Sequence, residues 1–270
     1  QFCGVDFDKL SLPSDTKEEY LRDLVQTLNI DYSVHGVIVQ LPLPPHMAEV
    51  RVCNSVDPSK DVDGFTQTNL GRLVQGLDDR SLIPCTALAV KKIIQEIGIR
   101  QRWNKEHKSH IKLSLIQINS MIVFIVHVSS PLSTLGKNAV VIGRSHNVGL
   151  PVHILLSADA SKGGLELTST LCHRHTPSPE LARAVSRADL VVSAAGVGSL
   201  VTRDMVRPGA VVIDVGLSRR EGRLVGDCDL GVREVRRTLY MSPATHDVRG
   251  TRGSLHCAQQ PLPPPPQGNG

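Results

Sequence analysis

Between Glu18 and Leu28, apolar residues fall at Leu21, Leu24, Val25 and Leu28, the spacing of one helical face, and a helix is predicted there. A short apolar run, Val34–Val39, predicts a buried strand that ends at Gln40 and a stiff Leu41-Pro42-Leu43-Pro44 corner. Helical spacing returns over Ala87–Ile97, with Thr86 as candidate N-cap and Gly98 as stop. The texture then changes. Residues 100–113 are polar and basic, and an apolar run follows at Met121–Val126. That run is far shorter than the roughly 18–20 residues of a membrane span. An extra strand or a disordered insertion is expected there, and no span.

From Gly136 the alternation is regular. Asn138–Ile142 predicts a strand, and the turn Gly143-Arg144-Ser145-His146-Asn147-Val148-Gly149 leads into an apolar helix around Val152–Leu156, with Pro151 at its start. Leu167–Cys172 predicts a second strand, and Ser178-Pro179-Glu180 opens a helix with Ser178 as N-cap. Third and fourth strands follow in "DLVVSAAG" and "AVVIDVG". Val/Ile-rich strands alternating with helices predict an α/β fold with a doubly wound, Rossmann-like parallel sheet. After about Met241 the pattern dissolves, and the closing Pro/Gly/Gln-rich stretch is too poor in apolar surface to order itself. The expected division is 1–99, 100–135, 136–242 and a disordered tail over 243–270.

Composition narrows the function classes. The chain has 270 residues, enough for one large domain or two modest ones. Aromatic residues make up 3%, too few for a platform that stacks single-stranded nucleic acid. The net charge of +4 is read as a solvated surface, not a nucleic-acid footprint. The six cysteines include no C-x-x-C pair, so neither a zinc site nor a disulfide frame is supported, and no metal ligands are assigned. No signal or transit peptide is visible, and the sequence opens in mid-pattern, so an upstream segment is expected.

In a doubly wound sheet the ligand sits beyond the carboxyl ends of the strands. Gly143 and Gly149 permit a tight turn and close backbone approach there, while Arg144 and Ser145 offer a charge and a hydroxyl to a phosphate. The spacing is not G-x-G-x-x-G, and a ligand-free turn stays an alternative. Where an NAD site usually carries an acid for the ribose, this chain has Arg174 between His173 and His175. A cation there favours a phosphate, either the 2′-phosphate of NADP or a free ion. Its alternative is a solvent-exposed loop arginine, and the two imidazoles are read as surface groups. Small-residue loops ending at Gly196 and Gly216 leave room for a flat cofactor, and Asp214 is either a site residue or a structural one.

Six blocks in order, "VHGVIVQLPLP", "KDVDGF", "IPCT", "GKNAVVIGRSHNVGLP", "SAAG" and "GAVVIDVG", resemble the methylenetetrahydrofolate dehydrogenase/methenyltetrahydrofolate cyclohydrolase family. The resemblance is loose over Gly4–Asn29 and close over Asp31–Gly98 and Gly136–Asp229. It implies a two-lobed protein: an N-terminal α/β catalytic lobe, incomplete here, and a Rossmann-like lobe for NAD or NADP. It implies that Gln40 orients the reacting centre and that Asp63 grips the pterin ring. Val39 and Leu41 complete the folate contacts. The stretch "SADASKGGLELTSTLCHRHTP" resembles the mitochondrial, NAD-preferring branch, in which inorganic phosphate and Mg²⁺ accompany NAD near Arg174; a cytoplasmic location is the alternative. Tetrahydrofolate one-carbon derivatives as substrates and a homodimer through the nucleotide-binding lobe are implied as well.

The sequence departs from that pattern in three places. The family's Tyr-x-x-x-Lys motif lies upstream of the first residues here, and neither Lys9 nor Lys17 matches its context. Residues 100–135 are an atypical insertion. "ATHDVRGTRG" stands where a Pro-Gly-Gly-Val-Gly-Pro-Met-Thr block is expected. Weak activity or none, and poor folding of the first lobe, are therefore expected, with a dinucleotide-binding remnant as the alternative to an enzyme.

Overall fold

The computed structural model describes residues 6–77, 80–106, 114–118, 121–125, 134–220, 223–229, 232 and 237–243. The second half carries the organising element, a seven-stranded sheet. Its strands are β1 (Ser114–Ile118), β2 (Met121–Ile125), β3 (Asn138–Ile142), β4 (Thr168–Cys172), β5 (Leu190–Ser193), β6 (Val211–Asp214) and β9 (Arg237–Pro243), in the order β1-β2-β9-β6-β5-β3-β4. A separate hairpin pairs β7 (Leu217–Arg220) with β8 (Arg223–Gly226). From β4 to β9 all pairings are parallel, whereas β1 and β2 add antiparallel.

β5 and β6 are buried at every position because helices cover both faces of the sheet, and that is why they read as unbroken apolar runs. One face presents Val141, Val192 and Ile213 to α5 (Gly149–Ser157) and α4 (Cys85–Glu106). The other presents Val140, Val191 and Val212 to α6 (Ser178–Arg187). Alternate residues of each strand thus feed two different cores. Strand order, not strand direction, reverses at β3, which lies between β4 and β5.

The first half supplies α1 (Glu18–Ile30), α2 (Glu49–Cys53), α3 (Gln67–Gln75) and α4. Val25, Val37 and Val56 form a small cluster of their own, while Leu73 of α3 and Ala89, Val90, Ile93 and Ile94 of α4 belong to the core of the sheet. Lys60 joins the α1 end to the rest of the lobe: its Nζ donates to the carbonyls of Leu28, Asn29 and Asp31 at 3.0, 2.7 and 2.7 Å. This satisfies acceptors that a helix C-terminus leaves open.

Several expectations need correction. Val34–Val39 is not a strand; Val37 alone bridges Asp61, in parallel, and Ile38 is 51% exposed. Among the described residues the segment has one partner, which is too little for a stable ladder. Thr86 is not an N-cap, because α4 already begins at Cys85 and the Leu88 amide bonds the Pro84 carbonyl. Gly98 does not stop that helix, which runs on to Glu106; an interior glycine costs only about 1 kcal/mol. Pro177, not Ser178, is the N-cap of α6. The expected 100–135 insertion gives the end of α4 and the added strands β1 and β2, matching the extra-strand alternative. β9 was not anticipated. Of the expected disordered tail over 243–270, Pro243 instead ends β9, and 244–270 lie outside the described residues. No described helix is long and apolar enough to cross a membrane.

Candidate functional site

The carboxyl ends of β3, β4, β5 and β6 are aligned by register: Ile142 pairs Cys172 and Ser193, and Ser193 pairs Asp214. The residues that follow those ends are Gly143, Arg174, Gly196 and Gly216, so the predicted cofactor residues share one sheet edge. Gly143 has φ +111°, and a Cβ there would run into the Ala194 carbonyl. The turns after β3 and β5 therefore touch, backbone to backbone, where the strand order reverses. That reversal is where doubly wound folds place their ligand crevice.

The amides of the Gly143–Gly149 turn and of the start of α5 differ in whether they are used within the protein. Ser145 Oγ accepts from the amides of Val148 (3.2 Å) and Gly149 (3.4 Å), and its carbonyl accepts from Leu150 (3.0 Å). The first amides of α5 are thus used locally. The amides of Arg144, Ser145, His146 and Asn147 have no protein acceptor among the described residues, so the turn itself offers the free N–H groups. The Ser145 oxygen is occupied as an acceptor while its proton stays available. Arg144 and Arg174 are exposed on the two neighbouring loops. His173 and His175 stack edge to face with centroids 5.9 Å apart, and the His175 amide donates to His173 Nδ1.

Asp214 is structural. Its oxygens accept from the amides of Asp227 (3.1 Å) and Cys228 (3.0 Å). Burial pushes its carboxyl up to about 6, against the lowering effect of those amides. A folded value above the ordinary 3.8 means the native state holds the extra proton between the two values, so stability falls as pH rises from about 4 to about 6. Asp214→Asn is expected to remove that falling limb, a change of about 3 kcal/mol across the window. Thermal unfolding followed from about pH 4 to pH 7 checks it; parallel pH profiles for the two chains would refute it.

Sequence reasoning missed Asp227, which is fully buried and accepts from loop amides after β5. Its signal in the sequence is faint: an Asp beside Gly226, echoing Asp214 two residues before Gly216. A Cβ on Gly216 would strike the Asp227 carboxylate, and one on Gly226 would strike that of Asp214.

In the first half, the single parallel bridge from Val37 to Asp61 joins the two predicted folate segments two residues before Val39 and Asp63. Of the two acids in "KDVDGF", Asp61 is the buried one. Its oxygens accept from the amides of Phe65 (3.2 Å) and Thr66 (2.8 Å) and from Asn69 Nδ2 (3.0 Å). Asp63 is half-buried and has no hydrogen-bond donor among the described residues. Burial and then the neighbouring Asp61 charge push its carboxyl up, as expected for an acid that lacks a donor. Gly64, at φ +68°, lets this turn pack on Leu82–Pro84, directly before α4. Gln40 is exposed, and its Nε2 donates to the Leu41 carbonyl at 3.0 Å. Val39 and Leu41 are part-buried.

The structure thus gathers the predicted residues into two groups. They are connected through α4, which follows the Asp63 turn and packs on α5 behind the Gly143 turn. No hydrogen bond among the described residues links the groups directly. Surface depressions lined by Lys17, His46 and Arg51, and by Ser186, Arg203 and Arg207, contain none of the predicted residues.

Taken together, the parallel sheet and the glycine-dependent contact at its strand reversal define a Rossmann-like, doubly wound α/β protein. Comparison with known proteins gives the family. The model of the tetrahydrofolate dehydrogenase/cyclohydrolase NAD(P)-binding domain matches residues 119–251, and that of the catalytic domain matches residues 1–63. A mitochondrial bifunctional methylenetetrahydrofolate dehydrogenase/cyclohydrolase from Drosophila melanogaster is 41% identical over 241 residues, covering 86% of this chain and 67% of the relative. The Gallus gallus mitochondrial protein is 39% identical, with 91% and 64% covered. A solved 5,10-methylenetetrahydrofolate dehydrogenase from the silkworm, Bombyx mori, superposes with a TM-score of 0.68 at 38% identity, over 85% of this chain and 68% of that one. The chain belongs to the tetrahydrofolate dehydrogenase/cyclohydrolase family. It spans about two thirds of the length of these relatives.

Proposed function

We propose that this chain oxidises 5,10-methylenetetrahydrofolate at the crevice between its lobes, using NAD or NADP. The observation that carries this reading is the backbone contact between the Gly143 and Ala194 turns at the strand reversal. The residues present fit a dinucleotide. Free amides of 144–147 meet a pyrophosphate, Arg144 and the Ser145 proton add to them, and Gly196 leaves open space beside its backbone for a flat ring, whereas the space beside Gly216 is taken by Asp227. Bound NAD(P) supplies the hydride acceptor. Arg174 meets either the 2′-phosphate of NADP or an inorganic phosphate beside NAD. Among the described residues no three His, Cys, Asp or Glu converge to hold a metal ion, so Mg²⁺ is assigned no ligands.

On the folate side, the Asp63 carboxylate accepts from the amino and ring N–H groups of the pterin, a pairing that an acid lacking a donor of its own is suited to make. Val39, Gln40 and Leu41 border the reacting carbon, with Gln40 orienting it. In the intact family, water then opens the methenyl ring; that cyclohydrolase step belongs to the family reading and is assigned to no residue here. The lobes are assigned as 1–99 and 136–242, with 100–135 inserted and 243–270 beyond the second lobe. The family resemblance supports a homodimer, and the fruit-fly and chicken relatives, both named mitochondrial, support that location.

The test is the purified chain assayed for methylenetetrahydrofolate-dependent reduction of NAD and of NADP. Weak turnover with either coenzyme is expected, given the three departures from the family pattern. Saturable coenzyme binding without turnover would overturn the catalytic reading in favour of a dinucleotide-binding remnant, and absence of both would overturn the site.

A further inference from the structure

We propose that Asp227 is a positioning residue that holds the loop after β5 in the shape that receives the dinucleotide. The inference rests on the dinucleotide reading above and adds a residue to it. Asp227 lies outside the turn motifs and is 0% exposed. Its Oδ2 accepts from Ser193 Oγ at 2.8 Å, the Ala195 amide at 2.7 Å and the Gly196 amide at 3.3 Å. Its Oδ1 accepts from the Val197 amide at 2.8 Å. Among the described residues, every partner of this carboxylate is a donor on β5 or on the loop that follows it. That loop holds Ala194, whose carbonyl abuts Gly143, and Gly196, at φ +67°.

The carboxylate is itself held. Asp214, at the end of the adjacent strand β6, accepts from the Asp227 amide, and glycines 216 and 226 leave the space the two acids fill. The chain of control therefore runs from Asp214 to Asp227 to the loop amides. A carboxylate is the only side chain of this size that presents acceptors at both ends. In Asp227→Asn, either orientation of the amide turns an NH₂ toward loop amides: toward Ala195 and Gly196 in one, toward Val197 in the other. Charge-assisted bonds are lost and a donor faces a donor.

The test compares the full chain, Asp227→Asn, and Val185→Ala, which removes buried volume on α6 and no hydrogen bond to the loop. Titration calorimetry with NAD and NADP is expected to show binding at least about tenfold weaker in Asp227→Asn, with affinity retained in Val185→Ala. Hydrogen exchange without any ligand is expected to accelerate at the amides of 195–197 in Asp227→Asn and not in Val185→Ala. Wild-type exchange of those amides in Asp227→Asn, or equal loss of affinity in both variants, would overturn the proposal. If Asp227→Asn does not yield folded protein, Ser193→Ala takes its place. It removes one donor from the same carboxylate and is expected to quicken loop exchange and weaken binding a few-fold; no change in either overturns the positioning role. Wild-type chain that binds neither coenzyme would instead overturn the dinucleotide reading, and the ligand-free exchange arm still decides whether Asp227 orders the loop.

Discussion

Gly143→Ala is expected to abolish dinucleotide binding and to destabilise the second lobe by several kcal/mol. Two costs add at this position. The backbone sits at φ +111°, a region that L side chains rarely adopt. The added Cβ is also directed at the carbonyl of Ala194, so relief requires one of two backbone segments to move. Strain of this kind costs of order 1–3 kcal/mol before any steric displacement. The segments that must part are the walls of the proposed crevice, so affinity falls together with stability. Thermal unfolding and coenzyme titration of the variant check this. Near-wild-type values in both would mean that the close approach of the turns has no structural or functional weight. Gly209, with a similarly left-handed φ of +81° but open space around its Cβ position, is the natural comparison: alanine there meets only the conformational cost.

Asp63→Ala is expected to lower folate-dependent turnover by about 10²–10⁴-fold in kcat/KM while leaving coenzyme affinity unchanged. The size follows from removing a charged acceptor that takes two hydrogen bonds from the pterin, each worth about 1.5–3 kcal/mol. The sparing of coenzyme follows from the position of Asp63, two residues after the Val37–Asp61 bridge of the first half and not on the sheet edge. Asp61, two residues earlier, is expected to behave differently. Its carboxylate holds the Phe65 and Thr66 amides and Asn69, so its loss should appear as instability of the α3 start. A steady-state assay beside unfolding curves separates the two. Loss of stability without a selective loss of kcat/KM in Asp63→Ala would place that residue with Asp61, in the scaffold.

What the sequence disclosed follows the physics of each element. β3, β5 and β6 were legible because strands buried on both faces carry uninterrupted apolar residues. The sheet edge was legible for the same reason: once strand ends are known, the residues beyond them are known. The failures have physical causes too. Val34–Val39 carries strand residues, but strand formation depends on partners, which residue type does not encode. Helix α4 passes through Gly98 because a single unfavourable residue is outweighed by its neighbours in a long helix. α2 and α3 are short, five and nine residues, too few to show a helical period; of the two, α3 alone carries a start signal, Thr66, whose hydroxyl caps the Asn69 amide at 3.3 Å. Asp227 was invisible because its importance arises from loops some thirty positions earlier in the chain. In "KDVDGF" both acids read alike, and tertiary packing alone decides which is buried.

The claim on which the rest depends is that a dinucleotide lies across the strand reversal, over the Gly143 and Ala194 turns. Hydrogen exchange of the full chain with and without saturating NAD, and again with NADP, tests this most directly. Protection concentrated at the amides of 144–147 and 195–197 is expected, because the first group has no acceptor within the described protein and the second frames the opposite wall. Unchanged exchange at both segments under conditions where coenzyme is bound would contradict it.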